Sequence, residues 1–186
     1  MKKITLLFII GLLAYNTQAQ QSEGLKPFQE FCKACEDGTK DYYKSNCRGV
    51  LSVRDVIADI DAVGIEKTAK TIQNVVFAYK NTDAVRYGFT AKTEILNKKG
   101  DVLFTSMDGA MYYLNSAGNL GQIISTKMQN FQARNLENGQ SVLFRFPVNL
   151  EIPADAKKLK VRTTVYRIDL SNRELVEVET NTTKVK

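Results

Sequence analysis

The sequence predicts an all-β protein, an antiparallel two-sheet sandwich preceded by a short helical segment that carries the cysteines. Three observations lead there. Between Ser141 and Leu170 the core-type residues fall on every second position, at Val142, Phe144, Phe146, Val148, Leu150 and Ile152, and again at Leu159, Val161, Thr163 and Val165. A period of two belongs to a strand with one buried face, because successive side chains of an extended chain point to opposite sides. Clusters of turn-forming residues, such as Asn97-Lys98-Lys99-Gly100 and Asn138-Gly139, cut the chain beyond residue 71 into pieces of strand length. No helical spacing is sustained past that point, which leaves paired antiparallel sheets as the way to bury the apolar faces.

The chain has 186 residues, 44% hydrophobic and 25% charged, an ordinary globular composition with enough length for one domain and its core. Its beginning has a different character. Lys2 and Lys3 precede an apolar run from Ile4 to Tyr15, and Asn16-Thr17-Gln18-Ala19 comes next. These are the charged, apolar and cleavage regions of a secretory signal, and the run is shorter than the roughly 20 residues of a membrane-spanning helix. Residues 1–19 are therefore expected to be removed after Ala19, leaving an exported chain, periplasmic or secreted to the cell surface, with no transmembrane segment in its mature form. The first cysteine is Cys32, away from the cleavage point, which argues against a lipid anchor.

The formal charge of +6 becomes +4 without Lys2 and Lys3. Spread along the chain, it makes no case for nucleic acid. There is no histidine. Histidine-activated serine or cysteine nucleophiles, histidine zinc sites and the covalent haem motif, where Glu36 stands after Cys35, are thereby excluded within this chain.

Residues 20–52 read as a helical and loop leader. Leu25, Phe28, Phe31, Cys32 and Cys35 lie three and four apart, Pro27 suits a first helical turn, and Gly38 ends the pattern. Residues 53–186 read as the β domain. Its first piece, Val53 to Val63, fits either a strand or a helix, with the strand favoured by the uniformly β pattern of the chain beyond it. Val75, Phe77 and Tyr79 alternate, as do Val85, Tyr87, Phe89, Ala91, Thr93 and Ile95 after the turn at Asn81 to Ala84. Asn97 to Asp101 reads as a hairpin loop into Val102 to Thr105, with Gly100 available for positive φ. Met107 to Asn119 reads as a long loop with at most a short strand, and Gln122 to Ala133 as a strand or irregular edge. Pro147 cannot donate to a ladder and marks a bulge or an open side of the Ser141 strand. Ser171 and Asn172 turn the chain into a last strand, Glu174 to Thr180, whose Glu177 and Glu179 are expected near Lys160, Arg162 and Arg167. Asn181 to Lys186 reads as a fraying polar tail.

A strand ending in Lys80-Asn81-Thr82, a long strand running to Asn97-Lys98-Lys99-Gly100-Asp101-Val102, and an Asn138-Gly139-Gln140 turn before Val142 and Phe144 resemble immunoglobulin-like sandwiches of exported bacterial proteins. The resemblance spans Ile72 to Ile152 and implies an immunoglobulin-like fold. It carries no site across. The Cys-Trp-Cys hallmark of antibody domains is missing, since there is no tryptophan.

Cys32, Cys35 and Cys47 are the only cysteines. In an oxidising compartment they are expected to pair, with one left over. The expected bridge joins Cys47 to Cys32 or Cys35, and the alternative is a Cys32-Lys33-Ala34-Cys35 redox pair. Asp59-Ile60-Asp61 resembles the start of a calcium loop, but Val63 and Lys70 occupy ligand positions, so no metal is expected. Tyr112, Tyr113 and Asn115 offer a candidate stacking and hydrogen-bonding surface. Lys157, Lys158, Lys160, Arg162 and Arg167 make a candidate basic face.

These residues contain no catalytic constellation and call for no cofactor. The expectation is an exported, non-catalytic binding or structural module with an unidentified protein or glycan partner. Two alternatives are a thiol-active redox protein using Cys32 and Cys35, and an accessory or inhibitor protein acting on a single partner.

Overall fold

The longest alternating run of the sequence becomes the backbone of one sheet. The computed structural model describes residues 23–39, 47, 63–84, 88–114, 124–125, 136–153, 158–169 and 171–185. They form a helix α1 (Leu25–Glu36) and strands β1 (Val63–Lys67), β2 (Thr71–Lys80), β3 (Gly88–Leu96), β4 (Val102–Ser106), β5 (Ala110–Tyr113), β6 (Ile124–Ser125), β7 (Ser141–Glu151), β8 (Lys160–Ile168) and β9 (Leu175–Lys184). The strands divide into a five-stranded sheet, ordered β1-β2-β7-β5-β6, and a four-stranded sheet, ordered β4-β3-β8-β9. Every pairing is antiparallel.

The order matches the immunoglobulin arrangement. Strands β1, β2, β7 and β5 take the A, B, E and D places, and β3, β8 and β9 take C, F and G, with β4 added beside C. Residues 1–19, read above as a secretory signal, the ambiguous Val53 to Ala62 stretch and the Asp59-Asp61 pair lie outside the described residues.

Alternation decides which residues meet. Val142, Phe144, Phe146 and Val148 of β7, with Val75, Phe77 and Tyr79 of β2, face Phe89, Ala91 and Ile95 of β3 and Val161 and Val165 of β8 in one buried cluster. Phe77 sits 5.2 Å from Phe144 and 5.9 Å from Phe146, centroid to centroid. Such ring pairs contribute about 0.5–1.5 kcal/mol each beyond the area they bury. Pro147 lies opposite Asn74 at a bulge whose extra residue is in β7, where three steps from Pro147 to Leu150 match two from Asn74 to Ile72, and among the described residues β5 pairs with β7 only as far as Arg145. Both expected explanations for a proline in this strand therefore hold at once.

The other faces of β2 and β7 are covered by α1. Leu25, Phe28, Phe31 and Cys32 pack on Val76, Ala78 and Leu143 in a second buried cluster. Gly24 begins the helix so near β2 that an added Cβ would meet the Tyr79 backbone at 3.0 Å. The helix-spacing residues were legible in sequence, but their seat on the outside of the sandwich was not.

The turns interlock. Asn81 is fully buried after β2; its side-chain amide donates to the Leu136 carbonyl at 2.9 Å and its Oδ1 accepts from the Asp83 N–H at 3.0 Å. The Asn81 carbonyl accepts from Gly139 N–H at 2.7 Å, and Asn138 Nδ2 donates to the Thr82 and Asp83 carbonyls. The Asn81 and Asn138-Gly139 motifs are thus two halves of one joint. The Asn97 hairpin forms as expected, with Asn97 Oδ1 accepting from the N–H groups of Lys99, Gly100 and Asp101, and Gly100 at φ 98°.

The C-terminal expectation needs correction. The last strand continues to Lys184 in place of a fraying tail from Asn181, and Val185 packs against the core. Glu177 lies opposite Tyr166 and acts on Arg162 through its charge, as expected, whereas Glu179 lies opposite Val165 on the inward side, and the ion pairs of Arg162 and Arg167 go to Glu94 and Asp83. A bulge between Val165 and Tyr166 sets this register.

Candidate functional site

With α1 lying over one sheet, no helix among the described residues lies over the outer face of the other, on which Thr90, Glu94 and Thr164 are 2%, 6% and 3% exposed beneath the longer side chains around them. On β3 the residues between the core positions are Thr90, Lys92 and Glu94, and on β8 they are Arg162, Thr164 and Tyr166. Strand pairing sets Glu94 opposite Arg162, Lys92 opposite Thr164 and Thr90 opposite Tyr166. Strand β9 extends this face with Glu177, opposite Tyr166, and Thr180, opposite Thr164.

Charge on this face is organised around Glu94, whose side chain is only 8% exposed. Its Oε2 accepts from Arg162 Nε at 2.7 Å and lies 3.4 Å from Lys92 Nζ. The Arg162 hydrogen bond overcomes burial and, with Lys92, holds the Glu94 carboxyl below its ordinary range. Burial pulls the Lys92 ammonium down, but its hydrogen bond to Tyr166 and the Glu94 charge outweigh that and raise it. Thr180 donates to Glu177 Oε1 at 2.8 Å and shares a 3.1 Å hydroxyl contact with Thr164. The result is a patch in which the half-buried Tyr166 sits among paired charges.

A second ionisable group sits at the end of the sandwich. Tyr79 faces inward 5.0 Å from the Phe89 ring. Burial raises its phenol above the ordinary value, Asp83 and Glu179 add to the rise, and Arg167 opposes it. Arg167 itself stands opposite core-facing Phe89, 3.9 Å from Asp83.

The sequence candidates separate in space. Tyr112 and Tyr113 are neighbours in β5, so they point to opposite faces of the sheet. Tyr113 is buried in the core between the sheets, and Tyr112 packs against the α1 cluster. They do not form one stacking surface, and Asn115 lies outside the described residues. The basic residues do not form one face either. Lys160 and Arg162 share the outer face of β8, whereas Arg167 is on the inward-facing side and Lys158 in the loop before β8 at φ 74°. Lys157 lies outside the described residues.

Cys35 is bridged to Cys47, closing the leader onto the helix, while Cys32 is a buried thiol on the sheet-facing side of α1. The two cysteines of the Cys-x-x-Cys motif are therefore not bonded to each other. Among the described residues, no group of three or more His, Cys, Asp or Glu is placed to hold a metal ion, and no helix is long and apolar enough to cross a membrane. Sequence reasoning missed Glu94, Lys92 and Tyr166. Their signal was available: charged and hydroxyl residues at the off-core positions of strands whose other positions are apolar.

No protein-family model matches the sequence, and no curated protein is similar to it. Among solved structures, the chain is similar to a family 123 glycoside hydrolase from Clostridium perfringens, at 17% identity and a TM-score of 0.26. The match covers 60% of this chain and 19% of the hydrolase, so it spans about a fifth of that protein. It is also similar to the CssB subunit of the enterotoxigenic Escherichia coli colonization factor CS6, complemented with a donor strand from CssA. Here identity is 18%, the TM-score 0.27, and coverage 68% of this chain and 97% of that one.

Proposed function

We propose that this chain is an exported, non-catalytic binding or structural module whose protein or glycan partner rests on the outer face of the β4-β3-β8-β9 sheet. The observation that supports the reading is the asymmetry of the two sheets. α1 packs on the outside of β2 and β7, whereas β3 and β8 turn outward a connected network of Lys92, Glu94, Arg162, Thr164 and Tyr166. A nearly buried carboxylate held by two cations fixes the side chains around it, and such fixed groups suit recognition because little entropy remains to be lost on binding. Export is supported by the charged and apolar start of the sequence and by the Cys35–Cys47 bridge.

Affinity capture from the envelope fraction, together with a glycan array, tests this. The wild-type chain is expected to retain a partner that Lys92→Ala and Tyr166→Ala lose, with folding of both variants checked by circular dichroism. Turnover of a substrate in a broad hydrolase and oxidoreductase screen, or capture that these variants leave unchanged, would overturn it.

A further inference from the structure

The strand at the open edge of the four-stranded sheet has an unusual make-up. β9 is ten residues long and pairs on one side only, with β8. Its partners at the core positions Val161, Thr163 and Val165 are Thr183, Asn181 and Glu179, so the inward side of β9 is polar. Val176 and Val178 are 38% and 36% exposed. Polar on both faces and apolar only where exposed, the strand is held chiefly by its ladder, and its outer row of backbone groups has no strand partner among the described residues. A strand of this kind gains most from a second ladder.

Charge along β9 is graded. Glu174, Glu177 and Glu179 lie at its start and Lys184 at its end. Antiparallel pairing of the strand with its own copy lays each acidic half along the other's basic end. With Thr180 on the two-fold axis and Val178 the extra residue of the bulge, Glu179 faces Asn181, Glu177 faces Thr182 and Leu175 faces Lys184, so that Glu177 is the diagonal neighbour of Lys184 on the same face. No acid opposes an acid in this register.

The rival use of the edge is worse. The opposite edge, β4, is five residues long and exposes Val102 and Leu103. Pairing β9 of one copy with β4 of the next, with Val102 against Val176, sets Asp101 against Glu177. Shifting Val102 to Val178 sets Asp101 against Glu179. That contact is also head-to-tail and does not close, whereas the two-fold contact does.

We infer that two copies of this chain pair through β9 across a two-fold axis, joining their four-stranded sheets into one continuous antiparallel sheet. The inference does not depend on the partner reading above, and its readouts are separate.

Sedimentation velocity on the purified exported chain, with single cysteines introduced along the edge, tests it. The mass is expected to rise from monomer to dimer with concentration and to stop there. Under mild oxidation Thr180→Cys is expected to give the strongest covalent dimer, Val178→Cys and Thr182→Cys less, and Val102→Cys none. Lys184→Glu is expected to weaken the dimer by about tenfold through two symmetry-related acid contacts with Glu177, and adding Glu177→Lys to restore it. These positions are exposed, and circular dichroism confirms that the variants fold. A monomer at every concentration without a Thr180→Cys cross-link overturns the inference. So does a ladder of larger species from a Val102→Cys/Val176→Cys double variant.

Discussion

At the scale of single residues, three buried polar groups behave differently because their partners differ. Asn81 is satisfied on both sides of its amide, so Asn81→Ala leaves the Leu136 carbonyl and the Asp83 N–H without their bonds. A loss of about 1–3 kcal/mol is expected in urea denaturation. Thr93 is fully buried opposite Thr163, and its hydroxyl has no hydrogen-bond partner among the described residues. Thr93→Val keeps the shape and removes the stranded hydroxyl, so it is expected to stabilise by about 1 kcal/mol in the same assay. Glu94 is the titrating case. Because its folded pKa lies below the ordinary carboxylate value, it contributes stability above pH 4.5, and that contribution is lost as pH falls through the lowered folded value. Wild-type melting temperature is expected to drop through this acid window, and Glu94→Gln to show a flatter profile with a lower plateau near neutrality. An unchanged profile in Glu94→Gln would show that Arg162 and Lys92 do not hold this carboxylate.

At the scale of elements, α1 and its bridge form a detachable layer. The helix is short, has no side-chain N-cap, and buries Leu25, Phe28, Phe31 and Cys32 on two strands that are complete without it. The Cys35–Cys47 bridge, 12 residues apart, removes about 3 kcal/mol of chain entropy from the undocked state. Cys47→Ser is expected to speed amide hydrogen exchange in Leu25–Glu36 selectively, with β7 still protected. Equal loss of protection in β7 would show that the helix is integral to the sandwich. The sequence showed this element clearly as a helix, because four apolar residues at three- and four-residue steps admit little else. It did not show which cysteine closes the layer, since Cys32 and Cys35 are one turn apart and only packing decides which points inward. The final strand failed for the opposite reason. Its ladder to β8 forms without an apolar alternation, so periodicity ended the strand at Thr180 while the hydrogen bonds run on to Lys184.

At the scale of the whole molecule, the two sheets share one core, so a cavity at its centre is felt by both. Phe144 is fully buried and touches the Phe77 ring. Phe144→Ala is expected to cost about 3–5 kcal/mol, a large part of the stability of a domain this size, in a single cooperative transition. Two separate transitions would mean that the sheets are independent units. The sandwich itself was legible because β7 and β8 carry strict alternation over most of their lengths. The face that supports the proposed function was not, because Glu94 and Arg162 are 68 residues apart and nothing local announces their meeting. The same distance governs how the molecule is made. The central ladders join Ile72 to Leu150 and Gly88 to Ile168, so the five-stranded sheet cannot close until Glu151 has been delivered, nor the four-stranded sheet until Ile168 has. During synthesis the first two thirds of the chain therefore wait as unfinished hairpins, and final collapse belongs to the slow, millisecond-to-second class set by distant contacts. A holding chaperone that meets this protein has its work to do before β8 emerges, and none afterwards.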